Sequence, residues 1–199
     1  MTNIFNKAAL AATVAAVAFA TPAFASPTSV SANGTATVKI FSPLTIAAPS
    51  ATDSVVDFGI LVGTLGGASA RTANAFVINA ASAPTAGTVC TGAINWTCSG
   101  SPHRALYTIT GSADSSVNVW VSAGTIDLNR AGGILGNVDD TIPLTLALSA
   151  LTDSNGDGTA DVLLSAGTAN VYVGGSLAVS STDRDGVYTG TFTVNADYQ

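Results

Sequence analysis

Apolar and polar residues alternate along most of the chain in short runs. Alternation with a period of two is typical of β-strands that bury one face, and Gly, Pro, Ser, Asn and Asp cluster between the runs as turn formers. Beyond the N-terminal segment, no run keeps an apolar stripe at helical spacing between helix caps. The pattern predicts strands at residues 36–46, 55–62, 74–80, 105–110, 117–122, 142–148, 161–164, 170–180 and 187–198.

Many short strands without intervening helices favour an all-β fold, with antiparallel strands. At 199 residues, with 47% hydrophobic and 9% charged positions, the simplest architecture is one immunoglobulin-like antiparallel β-sandwich over residues 43–199. The net charge of −6 comes from scattered aspartates, and the chain has no basic run. Neither nucleic acid nor an anionic membrane surface is therefore expected as a partner.

Residues 1–25 read as a secretory signal peptide. Lys7 precedes an apolar run that ends in the small-residue pattern AFA just before Ser26, which is the arrangement of a cleavable signal. The run is shorter than the roughly 20 residues that a spanning helix needs. We therefore expect cleavage after residue 25, passage through the periplasm to the cell surface or an extracellular filament, and no transmembrane helix in the mature chain.

Cys90 and Cys98 bracket the segment CTGAINWTC. In an oxidising compartment two such cysteines pair, so we predict a disulfide across a hairpin or between neighbouring strands. A metal site with the nearby His103 is the alternative, but two thiols and one imidazole leave zinc short of a ligand.

Both ends of the mature chain alternate with unusual regularity, and each presents one face of small or apolar residues. At the C-terminus this face contains Gly186, Tyr188, Gly190, Phe192, Val194, Ala196 and Tyr198. At the N-terminus it contains Val30, Ala32, Gly34, Ala36, Val38 and Ile40. A long edge strand left uncovered would be an aggregation hazard, so both ends need a pairing partner.

The C-terminal run resembles the signature of chaperone–usher pilus subunits. The matching features are a glycine fourteen residues from the end, a penultimate aromatic residue and an alternating strand between them. The resemblance implies an immunoglobulin-like sandwich that lacks its final strand, which the N-terminal extension of the next subunit supplies. Under this hypothesis residues 26–42 are the donor segment. The partners are then other pilin-like subunits or copies of this chain, together with a periplasmic chaperone and an outer-membrane usher.

The body of the chain is also similar to an uncharacterised family of secreted bacterial domains of unknown function, related to pilins and spore-coat-like proteins. The similar motifs are PLTI at 43–46, DFG at 57–59, VGGSL at 173–177 and YTGTFTVNADY at 188–198. The chain departs from pilins in two ways: its cysteines lie mid-chain, and the extension runs into PLTI without a break. A sandwich that is completed by its own N-terminal strand is therefore the alternative.

The first functional hypothesis is therefore a structural subunit of a bacterial surface filament or coat, assembled by donor-strand exchange. The alternative is a self-completed, monomeric surface-binding module, either an adhesin or a calcium-stabilised carbohydrate binder. An enzyme is not expected. His103 is the single histidine and no GxSxG motif accompanies it, while adjacent carboxylates such as Asp139 and Asp140 point opposite ways on an extended chain.

Calcium is the one cofactor that the sequence brings into consideration. The segment DSNGDGTAD spaces oxygen-bearing side chains like the start of a calcium loop. Leu164 stands where an EF-hand carries its bidentate glutamate, so a plain Asp/Asn/Gly hairpin turn is the competing interpretation. The candidate ligands are Asp153, Asn155, Asp157 and Asp161.

Overall fold

The computed structural model describes residues 33–63, 74–149 and 159–199. The chain divides into two units, Met1–Lys39 and Ile40–Gln199, and the described strands lie in the second. The predicted signal peptide, residues 1–25, lies outside the described residues. Within the described ranges, no helix is long and apolar enough to cross a bilayer.

The described residues form twelve strands, one short helix and one turn of 3-10 helix. The first six strands are β1 (Thr45–Ala47), β2 (Ile60–Gly63), β3 (Asn74–Ile78), β4 (Trp96–Ser99), β5 (Ala105–Thr110) and β6 (Ser116–Val121). The last six are β7 (Thr125–Arg130), β8 (Thr141–Leu148), β9 (Ala160–Leu163), β10 (Thr168–Val179), β11 (Tyr188–Thr189) and β12 (Val194–Tyr198). Helix α1 spans Ala86–Val89, and the 3-10 helix spans Val138–Asp140.

Strand β10 is the centre of a seven-stranded antiparallel sheet. Strands β5 and β3 pair with successive parts of one edge of β10, and β8 pairs with the other edge. The sheet continues from β5 to β1 and from β8 through β7 to β11. Two smaller antiparallel sheets, in the orders β12-β6-β9 and β2-β4, complete the described strands.

The three sheets share one hydrophobic core. Its fully buried members include Ile109 of β5, Val117 and Val119 of β6, and Val171 and Val173 of β10. These residues alternate with more exposed neighbours, as strands with one buried face require. The predicted fold class is confirmed: the domain is all-β, antiparallel and sandwich-like.

The prediction of one C-terminal strand over residues 187–198 is wrong, because this run forms two strands in two different sheets. Strand β11 pairs with β7 in the large sheet, whereas β12 pairs with β6 in the three-stranded sheet. Residues 190–193 lie outside any strand and carry the chain from one sheet to the other. Alternation did not reveal this crossing, because both sheets bury the same face of the chain in a shared core. Of the predicted pairing residues, β12 contains Val194 and Tyr198, β11 contains Tyr188, and Gly186, Gly190 and Phe192 lie outside strands.

Two strands were missed, and two predicted strands are much shorter than expected, since the strand at 55–62 is reduced to β2. In β7 the sequence TIDLNR offers only two inward apolar residues, Ile126 and Leu128, so polar side chains hid its alternation. Strand β4 lies in the cysteine-bracketed segment, whose turn formers obscured it. The predicted strand at 36–46 is reduced to β1, because residues 33–44 form no regular structure.

Candidate functional site

A cavity of about 800 Å³ lies against the inner face of the large sheet. The sheet contributes one wall because the inward residues of three neighbouring strands are aliphatic. These residues are Ile126 and Leu128 of β7, Ile142 and Leu144 of β8, and Leu177 and Val179 of β10. The charged residues that line the cavity, Asp57, Asp183, Arg184 and Asp185, lie outside these three strands.

The opposite wall is built from segments that largely lack strand pairing. Residues 54–59 hold their position through a bridge in which Asp57 and His103 exchange two backbone hydrogen bonds of 2.9 Å. The second segment, residues 183–192, brings Phe192 edge-on to Tyr107, with 6.4 Å between ring centroids. Burial raises the pKa of Tyr107, as expected where a phenol faces apolar surroundings.

Asp140 anchors one side of this wall. Its carboxylate is 1% exposed and accepts three hydrogen bonds: from Arg130 Nε at 2.5 Å, from the Ile134 N–H at 3.0 Å and from Arg184 Nη1 at 3.1 Å. The Ile134 N–H and then Arg130 hold the pKa of Asp140 below its ordinary value. The bond to Asp140 in turn raises the pKa of Arg130. A buried carboxylate needs such partners, so this cluster is a fixed support.

Backbone contacts join the cavity wall to the Asp140 cluster. The Arg184 N–H donates to the Asp139 carbonyl at 3.0 Å. The Tyr188 hydroxyl lies 2.7 Å from the Arg184 carbonyl and 3.2 Å from that of Asp139. A Cβ at Gly186 would lie 2.7 Å from Arg130 Cγ, so only glycine fits there without displacing the arginine. The wall is therefore fastened at its 183–188 end.

A second constellation joins the two ends of the domain; we call Phe41, Ser42, Ser112 and Tyr198 the clamp. The Tyr198 ring stacks on Phe41 with 4.4 Å between centroids. Its hydroxyl donates to the Ser42 carbonyl at 2.8 Å and accepts from the Ser112 N–H at 2.7 Å. The Ser42 N–H donates to Ser112 Oγ at 2.6 Å. The penultimate residue thus fixes the chain just before β1.

Gly111 makes room for the Tyr198 hydroxyl. A Cβ at this position would lie 2.3 Å from the hydroxyl oxygen and 3.0 Å from side-chain carbons of Leu44 and Leu164. Even alanine would push the hydroxyl out of place. Gly111 is therefore a requirement of the clamp, and single-sequence reasoning had no signal for it.

The predicted donor residues fall into two groups. Val30 and Ala32 lie outside the described residues. Gly34, Ala36, Val38 and Ile40 have no regular structure and are exposed, with 79% of Val38 and 87% of Ile40 accessible. Exposed aliphatic side chains two residues apart have the spacing that strand addition uses, and their role as a donor segment stays a prediction.

The predicted disulfide between Cys90 and Cys98 is confirmed, with 5.8 Å between the Cα atoms. Cys98 lies in β4, opposite Leu61 of β2, and Leu61 lines the cavity. The bridge therefore ties α1 to the small sheet that borders the cavity.

The calcium hypothesis is not tested by the structure. Asp153, Asn155 and Asp157 lie outside the described residues, while Asp161 lies in β9 and accepts a hydrogen bond from the Gln199 side chain. Among the residues that are described, no three His, Cys, Asp or Glu side chains converge as metal ligands would.

The ring of His103 contacts two backbone carbonyl groups. Its Nδ1 lies 3.1 Å from the Ser101 carbonyl and its Nε2 lies 3.2 Å from the Thr52 carbonyl. Both ring nitrogens thus contact backbone oxygens, and only one can carry the proton of a neutral ring. These contacts connect the loop before β5 to the turn that precedes the cavity wall.

Residues 57–198 match the family described as Domain of unknown function (DUF4402). The chain belongs to this family. No curated protein and no solved structure matches it. The DUF4402 match includes Gly111, Ser112 and Tyr198, whereas Phe41 and Ser42 precede it. The expected similarity to a family of unknown function is thereby confirmed, and the similarity to pilus subunits stays a prediction.

Proposed function

We propose that this DUF4402 protein is a structural subunit of a bacterial surface filament or coat, assembled by strand exchange between copies or related subunits. The observation that carries the proposal is the cavity of about 800 Å³, whose wall on the inner face of the large sheet is aliphatic. The proposed occupant is the segment 26–42 of another copy, whose exposed Val38 and Ile40 would bury their side chains there. Each such residue contributes roughly 1.5–3 kcal/mol when fully buried.

Strand β12 supports the proposal as a pairing edge. Among the described strands β12 pairs with β6 alone and ends the three-stranded sheet. An incoming segment would gain main-chain hydrogen bonds from such an edge, and β12 begins two residues after the cavity residue Phe192. Because the donor segment and the cavity are different surfaces, the contact is heterologous and extends into a filament when its rotation does not close. Delivery by a periplasmic chaperone and an outer-membrane usher belongs to the same proposal.

The proposal is tested on the protein as displayed by its own cell, in an unboiled denaturing gel beside a boiled sample. Strand-exchanged subunits resist detergent, because release requires extraction of a buried strand. We expect a ladder from the intact chain, its loss in Val38→Asp and its retention in the matched control Thr37→Asp. A single monomer band from the intact chain in both lanes would contradict the proposal.

A second pair of variants tests whether the cavity receives the donor segment. Ile126→Trp places a large side chain into the cavity, whereas Thr125→Trp places the same side chain on the exposed face of β7. We expect the ladder to shorten in the first variant alone. Equal ladders would mean that the cavity does not receive the donor segment.

A self-completed surface-binding module is the second candidate. The cavity volume lies within the range of small-molecule pockets, and the aliphatic side chains of its sheet wall suit a ligand with an apolar part. Monomer bands combined with a rise in melting temperature on adding a long-chain alcohol would favour this function over the filament.

A further inference from the structure

A partly exposed tryptophan lies on the outer face of the three-stranded sheet. In β6, Val117 and Val119 are fully buried, so the alternate residue Trp120 lies on the face that points away from the core. Trp120 is not among the hydrophobic residues that pack against the core in the described part of the chain. The other tryptophan, Trp96, packs against that core and meets the Phe76 ring edge-on, with 5.1 Å between ring centroids. Core packing therefore accounts for Trp96 and not for Trp120.

The neighbour of Trp120 on β12 is polar. Aromatic residues in antiparallel sheets are stabilised by aromatic or β-branched residues directly opposite, but Trp120 is level with Asn195. The Asn195 side-chain amide donates to Ser122 Oγ at 2.8 Å, which fixes its position beside the indole. Trp120 thus leaves part of its ring exposed next to an ordered amide, and a ligand that covered this apolar area would be favoured.

Two carboxylates and a second amide lie near Trp120 on the same face. Asp197 of β12 and Asp161 of β9 are both level with Asn118, which lies two residues before Trp120 in β6. Diagonal neighbours across adjacent strands are roughly 8 Å apart at Cα, so both aspartates are close enough to contact a ligand that covers the indole.

Gln199 joins the polar side chains of this face across the sheet. Its side-chain amide donates to Asn118 Oδ1 at 2.5 Å and also donates to the Asp161 carboxylate. Its backbone N–H donates to the Ser116 carbonyl at 3.1 Å. These bonds order the polar groups in advance, which lowers the side-chain entropy that ligand binding would cost. Strands β6, β9 and β12 contain no Lys or Arg, so their charged side chains are all acidic.

We propose that this face binds a neutral glycan, and we call Asn118, Trp120, Asp161, Asn195 and Asp197 the outer-face site. The C–H groups on one side of a sugar ring pack on an indole, while its hydroxyls accept hydrogen bonds from amides and donate them to carboxylates. An acidic sugar would bring another negative charge toward Asp161 and Asp197, which disfavours its binding.

This glycan site goes beyond the proposed function and does not depend on it. Strand exchange uses the edge of β12, whereas the outer-face site uses the face of the same sheet. Trp120 does not line the cavity. Loss of filament assembly would therefore leave the glycan site intact, and loss of glycan binding would leave the filament proposal intact.

A printed panel of oligosaccharides tests the site with the mature protein. The panel contains neutral oligosaccharides of glucose, galactose, mannose and N-acetylglucosamine, with sialylated and uronic oligosaccharides beside them. We expect binding to at least one neutral oligosaccharide and none to the acidic ones. Absence of binding to every neutral oligosaccharide would overturn the proposal.

Three variants identify the residue that stacks on the sugar. Trp120→Ala should weaken neutral binding by about tenfold or more, and Trp120→Tyr, which keeps an aromatic ring, by less than about threefold. Leu163→Ala is the matched control, because it removes a 58% exposed apolar side chain from the same face, level with Ser116 and away from Trp120. An equal loss in Trp120→Ala and Leu163→Ala would contradict a specific role for the indole.

The two indole N–H signals in a nitrogen-15 correlation spectrum provide a test on the intact chain, which holds even where Trp120→Ala fails to fold. The chain has two tryptophans, and Trp96 lines the cavity. On titration of the mature monomer with the neutral oligosaccharide retained by the panel, we expect the Trp120 signal to shift and the Trp96 signal to stay. The Trp120 signal is assigned by its loss in Trp120→Tyr. A shift of the Trp96 signal alone would place the sugar in the cavity and overturn the proposal.

Discussion

The clamp and the cavity are two regions of the sandwich that are closed to different degrees. At the clamp end, one tyrosine hydroxyl joins Ser42 and Ser112, and the ring covers Phe41. At the cavity end, the strands β7, β8 and β10 present aliphatic side chains to a space of about 800 Å³. The first end is closed by directional bonds, while at the second Ile126 and Leu128 stay partly exposed beside the cavity.

This difference shows which region of the domain is closed by its own hydrogen bonds and which region has room for another group. Hydrogen bonds at the clamp are specific in position and need few atoms. Apolar surface at the cavity is non-directional and is stabilised in proportion to the area covered. The following predictions test the contrast from the largest expected effect to the smallest.

The largest effect on the free energy of unfolding is expected when an isoleucine is replaced with alanine, once near the clamp and once at the cavity. Ile109 is fully buried near the clamp end of β5, whereas Ile126 is partly exposed on the cavity wall. Ile109→Ala should lower the free energy of unfolding by about 3–4 kcal/mol and Ile126→Ala by about 1 kcal/mol, because only the first opens a new void in a filled core. Urea unfolding of the mature monomer measures both, and equal losses would mean that the cavity end is packed as tightly as the clamp end.

The disulfide should have a smaller and local effect. Cys90 and Cys98 are eight residues apart, so replacing both with serine should cost about 2.5 kcal/mol by the loop-closure relation. Hydrogen exchange should rise in β2 and β4, which border the cavity, and stay unchanged at residues 41–47. Faster exchange at the clamp as well would show that the two ends do not behave independently.

The smallest effect is expected for the pH dependence of the Asp140 cluster, in which the Arg184 side chain is 48% exposed. The native pKa of Asp140 is lowered, so its contribution to stability is present above the unfolded value near 3.8 and is lost as the pH falls through the native value. The melting-temperature gap between the intact chain and Asp140→Asn should therefore be widest near pH 6 and narrow progressively as the pH falls below about 4. Asp139→Asn is the control for the formal charge, and a gap that stays constant down to pH 3 would rule out this role.

Local pattern was enough for several features of this chain. Alternation located β5, β6, β8 and β10, because each buries one face and exposes the other. Two cysteines in an expected oxidising compartment were enough to predict the Cys90–Cys98 bridge. Local pattern failed at β7, where the inward side chains are few, and at residues 190–193, where the chain changes sheet without changing its buried face.

The clamp and the cavity wall depend on contacts between distant positions. Asp140 meets Arg184 across 44 residues and Tyr198 meets Ser42 across 156. No local signal marks Asp140 as buried, since an aspartate in a turn is ordinarily solvated. Gly111 likewise looks like any turn glycine until the Tyr198 hydroxyl is placed beside it.

The sequence by itself determined that this protein is an antiparallel all-β domain with a disulfide and an alternating segment at each end. Those properties depend on side-chain periodicity and spacing, which are local. Only the tertiary structure decided that the C-terminal run serves two sheets, that Tyr198 closes one end and that the other end holds a cavity. These depend on which strands meet, and strand pairing is set by the collective burial of apolar surface from the whole chain.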